Sequence, residues 1–428
     1  MAELHRLVVM GAGAGGLDLA TRLARRGVPG LAVTLVDRAS SHVWKPRLHQ
    51  VAAGTLDTAQ DEITYLDHAA RLGMAFRPGT LRGIDRAARR ITLGTVQDEA
   101  GRDEVTAEVP YDTLVLALGS TADDFGTPGV RQHAVFIDSR EQAEGFRVHL
   151  RRAVVRALDD PAVREVSIVI VGGGATGTEL AAELHQALDL ASGYGVPDLR
   201  GRLRVTLVEM APRILAALPE KVSNSATAVL RNLGVEVLTG AAVAEVDEHG
   251  VVLKDGRRIE ASIRVWAAGV RAPGVTRELD GLELDRAGRI RVGEDMVSVT
   301  DPAILALGDC AALVPAGQDK PLPATAQVAH QQARHLARHL PGRLSGAPIP
   351  PFHYVPRGSL VSLGDYDAFG SLGRLGVLKG AFIEGWLARL SYAMLYRQFQ
   401  LVVHGWRAPL VWAAGALRSL ARPSVRLD

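Results

Sequence analysis

Leu7-Val8-Val9-Met10-Gly11-Ala12-Gly13-Ala14-Gly15-Gly16 stands near the start of the chain, and its reading decides the fold. Four apolar residues run into a turn made only of glycine and alanine. A helical pattern follows from Leu17 to Arg26, and a second apolar run, Ala32 to Val36, ends on Asp37. This is strand, glycine turn, helix, strand. The same order returns at Val166 to Val171, with the turn Gly172-Gly173-Gly174-Ala175-Thr176-Gly177, a helix from Thr178, and Val205 to Val208 ending on Glu209.

The spacing has a physical meaning. The first glycine of each motif (Gly11, Gly172) permits the tight turn, the second (Gly13, Gly174) lets backbone approach a pyrophosphate, and the third (Gly16, Gly177) lets helix pack on strand. The phosphates then rest on the positive end of the helix. Asp37 and Glu209 are placed to accept hydrogen bonds from a ribose 2′-hydroxyl, and a carboxylate there repels a 2′-phosphate, so the second site is expected to prefer NADH to NADPH. Glu209 lies farther from its glycines than the usual ~20 residues, which points to an insertion around Ala191 to Gly195. One such motif is a weak signal; two, each with strand, helix and terminal acid, encode two dinucleotide sites.

Composition closes off other classes. The 428 residues carry a net charge of +2, with no basic footprint for nucleic acid. A single cysteine, Cys310, allows no intramolecular disulfide, Cys-x-x-Cys pair or cysteine-based zinc cage, which favours a reducing compartment. The 13 histidines show no ligand spacing, so no metal is expected. No secretory leader is expected ahead of the first strand. The longest late stretch without a charge, Ala408 to Leu417, is half of what a membrane-spanning helix needs.

Further strands end in Gly119-Ser120 and in Gly308-Asp309. With the two glycine motifs, the chain resembles the flavoproteins built of two dinucleotide-binding domains, where the first site holds FAD and the second NAD(P)H. Within that superfamily it resembles the type II NADH:quinone oxidoreductases, the non-proton-pumping respiratory NADH dehydrogenases. The likeness runs through His42-Val43-Trp44-Lys45-Pro46, Gly172 to Glu179, and Val265-Trp266-Ala267-Ala268-Gly269-Val270. It continues in Ala326-Gln327-Val328-Ala329-His330-Gln331, which matches the family's Ala-Gln-x-Ala-x-Gln quinone motif, and in Tyr396-Arg397-Gln398 and Val403-His404-Gly405.

The resemblance implies an α/β fold of two Rossmann-like domains: FAD bound by residues 1–123 and 290–345, NADH by 160–275, and a C-terminal amphipathic helical region, 346–428, that anchors to a membrane. Bound FAD would take hydride from NADH and pass two electrons to a quinone, ubiquinone or menaquinone. Asp309 would meet the flavin ribityl chain, Lys45, Gly119 and Ala326 would flank the flavin, Gly269 would line the cofactor site, and Glu179 would position the dihydronicotinamide. Lys379, one of only five lysines, is either a cation near flavin and quinone or a solvated loop residue. A helix expected from Pro323 to Leu336 puts Gln327 and Gln331 on one face, where uncharged amides suit a quinone carbonyl. A sulfide:quinone reductase is the runner-up and lacks its paired cysteines here; an NAD(H)- and FAD-binding redox sensor is another.

From Trp386 on, three of the five tryptophans and six arginines meet one acid, Asp428. Leu387, Leu390, Met394, Leu395 and Phe399 recur at helical spacing, as do Trp406, Leu410, Ala413, Leu417 and Leu420. Such stripes suit the membrane interface or a partner helix. By resemblance the chain is a peripheral homodimer on the cytoplasmic face of the bacterial inner membrane.

Overall fold

The strand His5–Met10 lies at the centre of five parallel strands, in the order Ile304–Ala306, Thr113–Leu116, His5–Met10, Leu31–Asp37 and Ala75–Pro78. The structure, a computed structural model, describes residues 4–56, 62–96, 105–160, 165–193, 200–364, 366–372 and 382–420. Leu7 to Met10 are almost wholly buried, as a central strand covered on both faces requires. The first glycine helix, Ala14–Arg26, follows and stops at Gly27, whose left-handed φ of 59° closes it.

The second unit repeats this. Val166–Val171 is central among Val135–Phe136, Ile263–Trp266, Leu203–Val208 and Glu236–Leu238, all parallel. The repeat extends further than the glycine motifs show. In each unit a three-stranded antiparallel sheet, 80–110 or 243–260, is inserted between the outer strand and the strand that returns to the centre. The second unit also takes in chain ahead of the expected start at 160. Val135–Phe136 pairs with Val265–Trp266, and Ala143, Phe146, Leu150, Val154 and Ala157 of the helix Arg140–Asp159 join its core. The second glycine helix, Ala175–Gly193, has 19 residues against 13 in the first. Part of the extra distance to Glu209 is therefore helix; residues 194–199, where the expected insertion ends, lie outside the described residues.

Two expectations for the C-terminal third need correction. The helix that carries Gln327 and Gln331 is Ala326–Leu344, not one from Pro323: Thr325 is extended and its hydroxyl accepts from the Val328 N–H (3.3 Å), so capping sets the start. Residues 346–428 are also not helical throughout. Gly358–Leu363, Asp367–Leu372 and Phe382–Glu384 form an antiparallel sheet, with Val361, Leu363 and Phe369 buried in the second unit's core. The amphipathic helices Trp386–His404 and Ala408–Leu420 come after it.

Candidate active site

The two glycine turns separate what the fold demands from what a ligand demands. A Cβ on Gly11 (φ +102°) would lie 2.3 Å from the Ala117 carbonyl oxygen, and one on Gly16 would lie 1.8 Å from that of Gly11. In the second turn, Gly172 (φ +111°) and Gly177 are blocked in the same way, by Ala268 backbone at 2.7 Å and the Gly172 carbonyl oxygen at 2.0 Å. Gly13 and Gly174 are different: nothing lies within 4 Å of a Cβ at either. Their missing side chains leave space that the protein itself does not use, as a pyrophosphate cradle requires.

The acids at the strand ends are equivalent. Asp37 accepts from the N–H groups of Ala12 (2.6 Å) and Ala39 (2.8 Å), and Glu209 from those of Gly173 (2.6 Å) and Ala211 (2.7 Å). Each carboxylate is therefore locked at the lip of its own glycine turn. Burial raises the Asp37 carboxyl above its ordinary range, against the pull of those two N–H groups and of Arg38.

A cavity of about 940 Å³ opens from the first turn. Gly11, Gly13, Asp37, Lys45, Gly119, Asp309 and Ala326 line it, and it reaches Thr176 and Glu179 of the second glycine helix, Val270, Leu360 and Tyr392. A volume of this size suits a dinucleotide-sized ligand. Asp309 accepts from the Ser120 hydroxyl (2.8 Å), and its turn is held by Gln332, buried, whose side-chain oxygen accepts from the Gly308 N–H (2.7 Å). Lys45 pairs with Asp138 and donates to the Ser120 carbonyl (3.0 Å), tying the cavity wall of the first unit to the second. His42 donates from Nδ1 to the Ala12 carbonyl (3.1 Å), since a carbonyl can only accept. Burial holds this imidazole down to about 4, so it is neutral. Gly269, at φ +70°, packs under Phe125, whose ring a Cβ would meet at 2.2 Å.

Glu179 sits at the far wall, 5% exposed. It accepts from the Ser362 N–H (3.0 Å), and His49 Nδ1 lies 3.4 Å from its other oxygen. Burial, with neighbouring Glu183 adding repulsion, pushes its carboxyl up to about 8 against the Ser362 hydrogen bond. Burial likewise pushes His49 down to about 3. Both groups are therefore uncharged at neutral pH, so no ion pair forms. The Tyr392 hydroxyl on the same wall is buried with no hydrogen-bond partner among the described residues.

Gln327 and Gln331 share a face as expected, but that face is covered. Gln327 donates to the Gly358 carbonyl (3.1 Å) and accepts from the Arg357 N–H (2.8 Å) and the Tyr354 hydroxyl (2.9 Å). Gln331 exchanges two bonds with the Val355 backbone (2.8 and 3.0 Å). The extended segment 354–358 has peptide groups to satisfy, and the amides meet that need. Ala326 and Ala329, not the glutamines, line the cavity. Lys379 lies outside the described residues. Gln332, Ser362, His49 and Tyr392 were missed; none carries a sequence signal of its own, because the first three act through partners distant in the chain and Tyr392 reaches the cavity wall only through the fold.

A family model for pyridine nucleotide-disulphide oxidoreductases matches residues 5–333. A type II NADH:quinone oxidoreductase of Haemophilus influenzae is 38% identical, over 99% of this chain and 100% of the relative. One from Staphylococcus aureus is 31% identical, over 86% of this chain and 90% of its own. The chain belongs to the type II NADH:quinone oxidoreductases. As a member it is an NADH:quinone oxidoreductase, a flavoprotein that moves two electrons from NADH to quinone. Among solved structures, NDH2 from Plasmodium falciparum in complex with NADH has the same fold, with a TM-score of 0.83 at 16% identity over 99% of this chain and 100% of that one. The sulfide:quinone oxidoreductase of Aquifex aeolicus is similar in fold only, with a TM-score of 0.73 at 18% identity over 94% of this chain and 92% of that one. Cys310 offers no paired-thiol chemistry: it is fully buried, and burial pushes its thiol up to about 12.

Proposed function

We propose that the cavity holds FAD along Gly11, Gly13, Gly16, Asp37, Lys45, Gly119 and Asp309, that NADH binds on Gly172, Gly174, Gly177 and Glu209 and reaches in beside Glu179, and that the quinone enters past Ala326, Ala329, Leu360 and Tyr392. One observation carries this reading: a single cavity touches the first glycine turn, the second glycine helix and the C-terminal elements together. FAD, when bound, supplies the hydride and electron chemistry. The chain's own residues bind, orient and hold protons. Gln327 and Gln331 act on the quinone side by clamping 354–358, the approach to the strand that carries Leu360.

Glu209 is the proposed NADH ribose acid. Glu209→Gln keeps the shape and one acceptor oxygen but removes the charge that repels a 2′-phosphate. Its ratio of kcat/KM for NADH over NADPH is expected to fall by about tenfold or more, roughly 1.4 kcal/mol of discrimination. A steady-state comparison of both nucleotides checks this, and an unmoved ratio would show that another group reads the ribose.

Glu179 is proposed to stand as a neutral acid beside the nicotinamide, holding a proton for the quinone. The wild type is expected to lose quinone reduction as pH rises through about 8, where this carboxyl ionises. Glu179→Gln should be slower throughout and flat over the same range, by stopped-flow reoxidation of the reduced enzyme. Stability has a matching sign. The folded value lies above that of an unfolded carboxyl, so the group's contribution is present at low pH and lost as pH rises from the ordinary Glu range to about 8. Glu179→Gln should therefore narrow the drop in melting temperature between pH 6 and pH 8.5.

We also propose that the chain is peripheral on the cytoplasmic face of the bacterial inner membrane. No helix among the described residues is long and apolar enough to cross a membrane. Trp386, Leu390, Met394, Leu401 and Leu410 on the two C-terminal helices, and Trp406 on the turn Gly405–Arg407 between them, are exposed, which supports an interfacial surface. Phe399, expected on that stripe, belongs to the core, packed against His42, Trp44 and His330. The helix Trp386–His404 thus has one face on the body and another open. A homodimer is proposed from the family alone, with sedimentation velocity in detergent as its test.

A further inference from the structure

Phe125 is 66% exposed, yet the protein holds it in a strained backbone conformation. Its φ of 50° lies in the left-handed region, which a bulky side chain rarely adopts. The ties that enforce this come from both units. After the first unit's turn at Gly119-Ser120, Thr121–Ala122 pairs antiparallel with Val270–Arg271 of the second. The Asp123 N–H donates to the Gly269 carbonyl (3.3 Å), and the buried Trp266 donates from Nε1 to the Asp123 carbonyl (2.8 Å). The Asp123 carboxylate accepts from the Phe125 N–H (3.0 Å), and that of Asp124 from the Gly126 N–H (3.2 Å). Arg271 lies 3.5 and 3.7 Å from these two acids, and Arg131 pairs with Asp124. All of this fixes one aromatic ring against Gly269, where a Cβ would run into it. The fold gains little from a ring left two-thirds in water, and backbone strain of this kind gathers at ligand sites.

In an open parallel sheet a dinucleotide lies across the carboxyl ends of the strands, at the point where the strand order reverses. The second unit runs outward from Val166–Val171 to Leu203–Val208, then crosses back to place Ile263–Trp266 on the other side of Val166–Val171. Glu209, at the end of Leu203–Val208, is the proposed partner of the adenosine ribose. The nicotinamide half then extends the other way, over Ala267 to Val270. These residues press on the glycine turn: the Ala267 N–H donates to the Val171 carbonyl (2.8 Å), and Ala268 backbone would block a Cβ on Gly172. Val270 is 53% exposed and lines the cavity. The Phe125 ring, on Gly269, stands beside the path from the second glycine turn to the flavin.

We propose that Phe125 is a binding residue for the nicotinamide half of NADH, its exposed ring packing on the nicotinamide riboside as this enters the cavity. The inference rests on the reading of the second glycine turn as the NADH site. Apolar ring surface that is bare in the free enzyme is covered when the ligand binds, which is why a strained, exposed aromatic is kept here. ADP carries the adenosine and both phosphates but no riboside, so it reaches Glu209 and the turn without meeting Phe125.

The test uses FAD-loaded enzyme and the variants Phe125→Asn, Phe125→Tyr and Gly174→Val. Asparagine tolerates the left-handed backbone, so Phe125→Asn should melt no lower than wild type. The NADH concentration that half-saturates flavin reduction in stopped flow should nevertheless rise about tenfold, as should the Kd of NAD+ by titration. Competitive inhibition by ADP should stay within about twofold, and so should reoxidation of the reduced enzyme by a soluble short-chain benzoquinone. Phe125→Tyr keeps the ring face and should keep wild-type saturation by NADH. Unmoved NADH saturation in Phe125→Asn would overturn the assignment, and so would equal weakening of NADH and ADP, the sign of a loop that only supports the fold. Gly174→Val fills the open space in front of the turn and should weaken NADH and ADP together by about 100-fold. Unchanged binding of both in that variant would instead defeat the turn as the NADH site, and the place of Phe125 with it.

Discussion

Gly13→Val is expected to give a folded chain that has lost its flavin. Gly13 caps the first glycine helix with φ −68° and ψ −166°, an extended backbone that valine also adopts, and nothing lies within 4 Å of a Cβ there. The protein therefore loses nothing by accepting a side chain, and apoprotein stability should stay within about 0.5 kcal/mol of wild type, the usual range for a substitution that meets no neighbour. The cavity in front of the turn is what the isopropyl group fills. A pyrophosphate held there must meet backbone N–H groups at hydrogen-bond distance, so flavin affinity should fall by about 100-fold or more, roughly 2.7 kcal/mol. Gly16→Val is the contrasting case: its Cβ would fall 1.8 Å from the Gly11 carbonyl oxygen, a backbone atom that cannot rotate aside. That variant should fail to fold or melt far below wild type. Flavin content by absorbance and apoprotein melting by circular dichroism separate the two. A Gly13→Val enzyme with full flavin would show that the pyrophosphate does not lie on this turn.

That contrast also shows what a sequence can disclose. Both glycines belong to one motif, and the motif revealed the turn, the helix after it and the acid at the end of the next strand, because strand, turn and helix are all local. Asp37 and Glu209 stand where that reading put them, at the lips of their own turns. The inserted antiparallel sheets were not read. Each is joined to its unit by long-range packing, and alternating short strands such as Val243–Val246 look like loop in a glycine-rich chain.

The site was less legible where function depends on separation in sequence. Glu179 was marked by its place after the second turn, but its raised carboxyl comes from burial against elements from both ends of the chain, opposed by the hydrogen bond from Ser362, 183 residues later. For Gln327 and Gln331 the helical face was right and its neighbour was not. The segment 354–358 uses the amides as peptide partners, and no periodicity in 326–331 announces a strand-like segment arriving from elsewhere. Phe399 shows the same limit: an apolar stripe is identical in sequence whether it meets lipid or core.

The open half of that stripe yields the second large effect. Trp386→Ser, Trp406→Ser and Leu410→Ser together are expected to release the enzyme from liposomes containing anionic lipid. These side chains are 70%, 79% and 63% exposed, so removing them takes little from the fold. In a membrane interface each would bury apolar surface, and full burial of one large side chain is worth about 1.5–3 kcal/mol. Even half that sum over three residues exceeds about 2 kcal/mol, so partitioning should fall by roughly 30-fold or more. Arg397 and Arg407, seated over Trp412 and Trp406, bring positive charge to the same surface. High salt should therefore weaken binding of the wild type without abolishing it, because screening removes the attraction to anionic headgroups and leaves the apolar contribution. Phe399→Ser serves as the opposite control: fully buried, it should destabilise the body and its flavin rather than the membrane contact. A flavin-loaded triple variant that still sediments with the liposomes would place the membrane surface outside these two helices. Reduction of a soluble short-chain quinone should persist in the triple variant, since none of the three side chains lines the cavity.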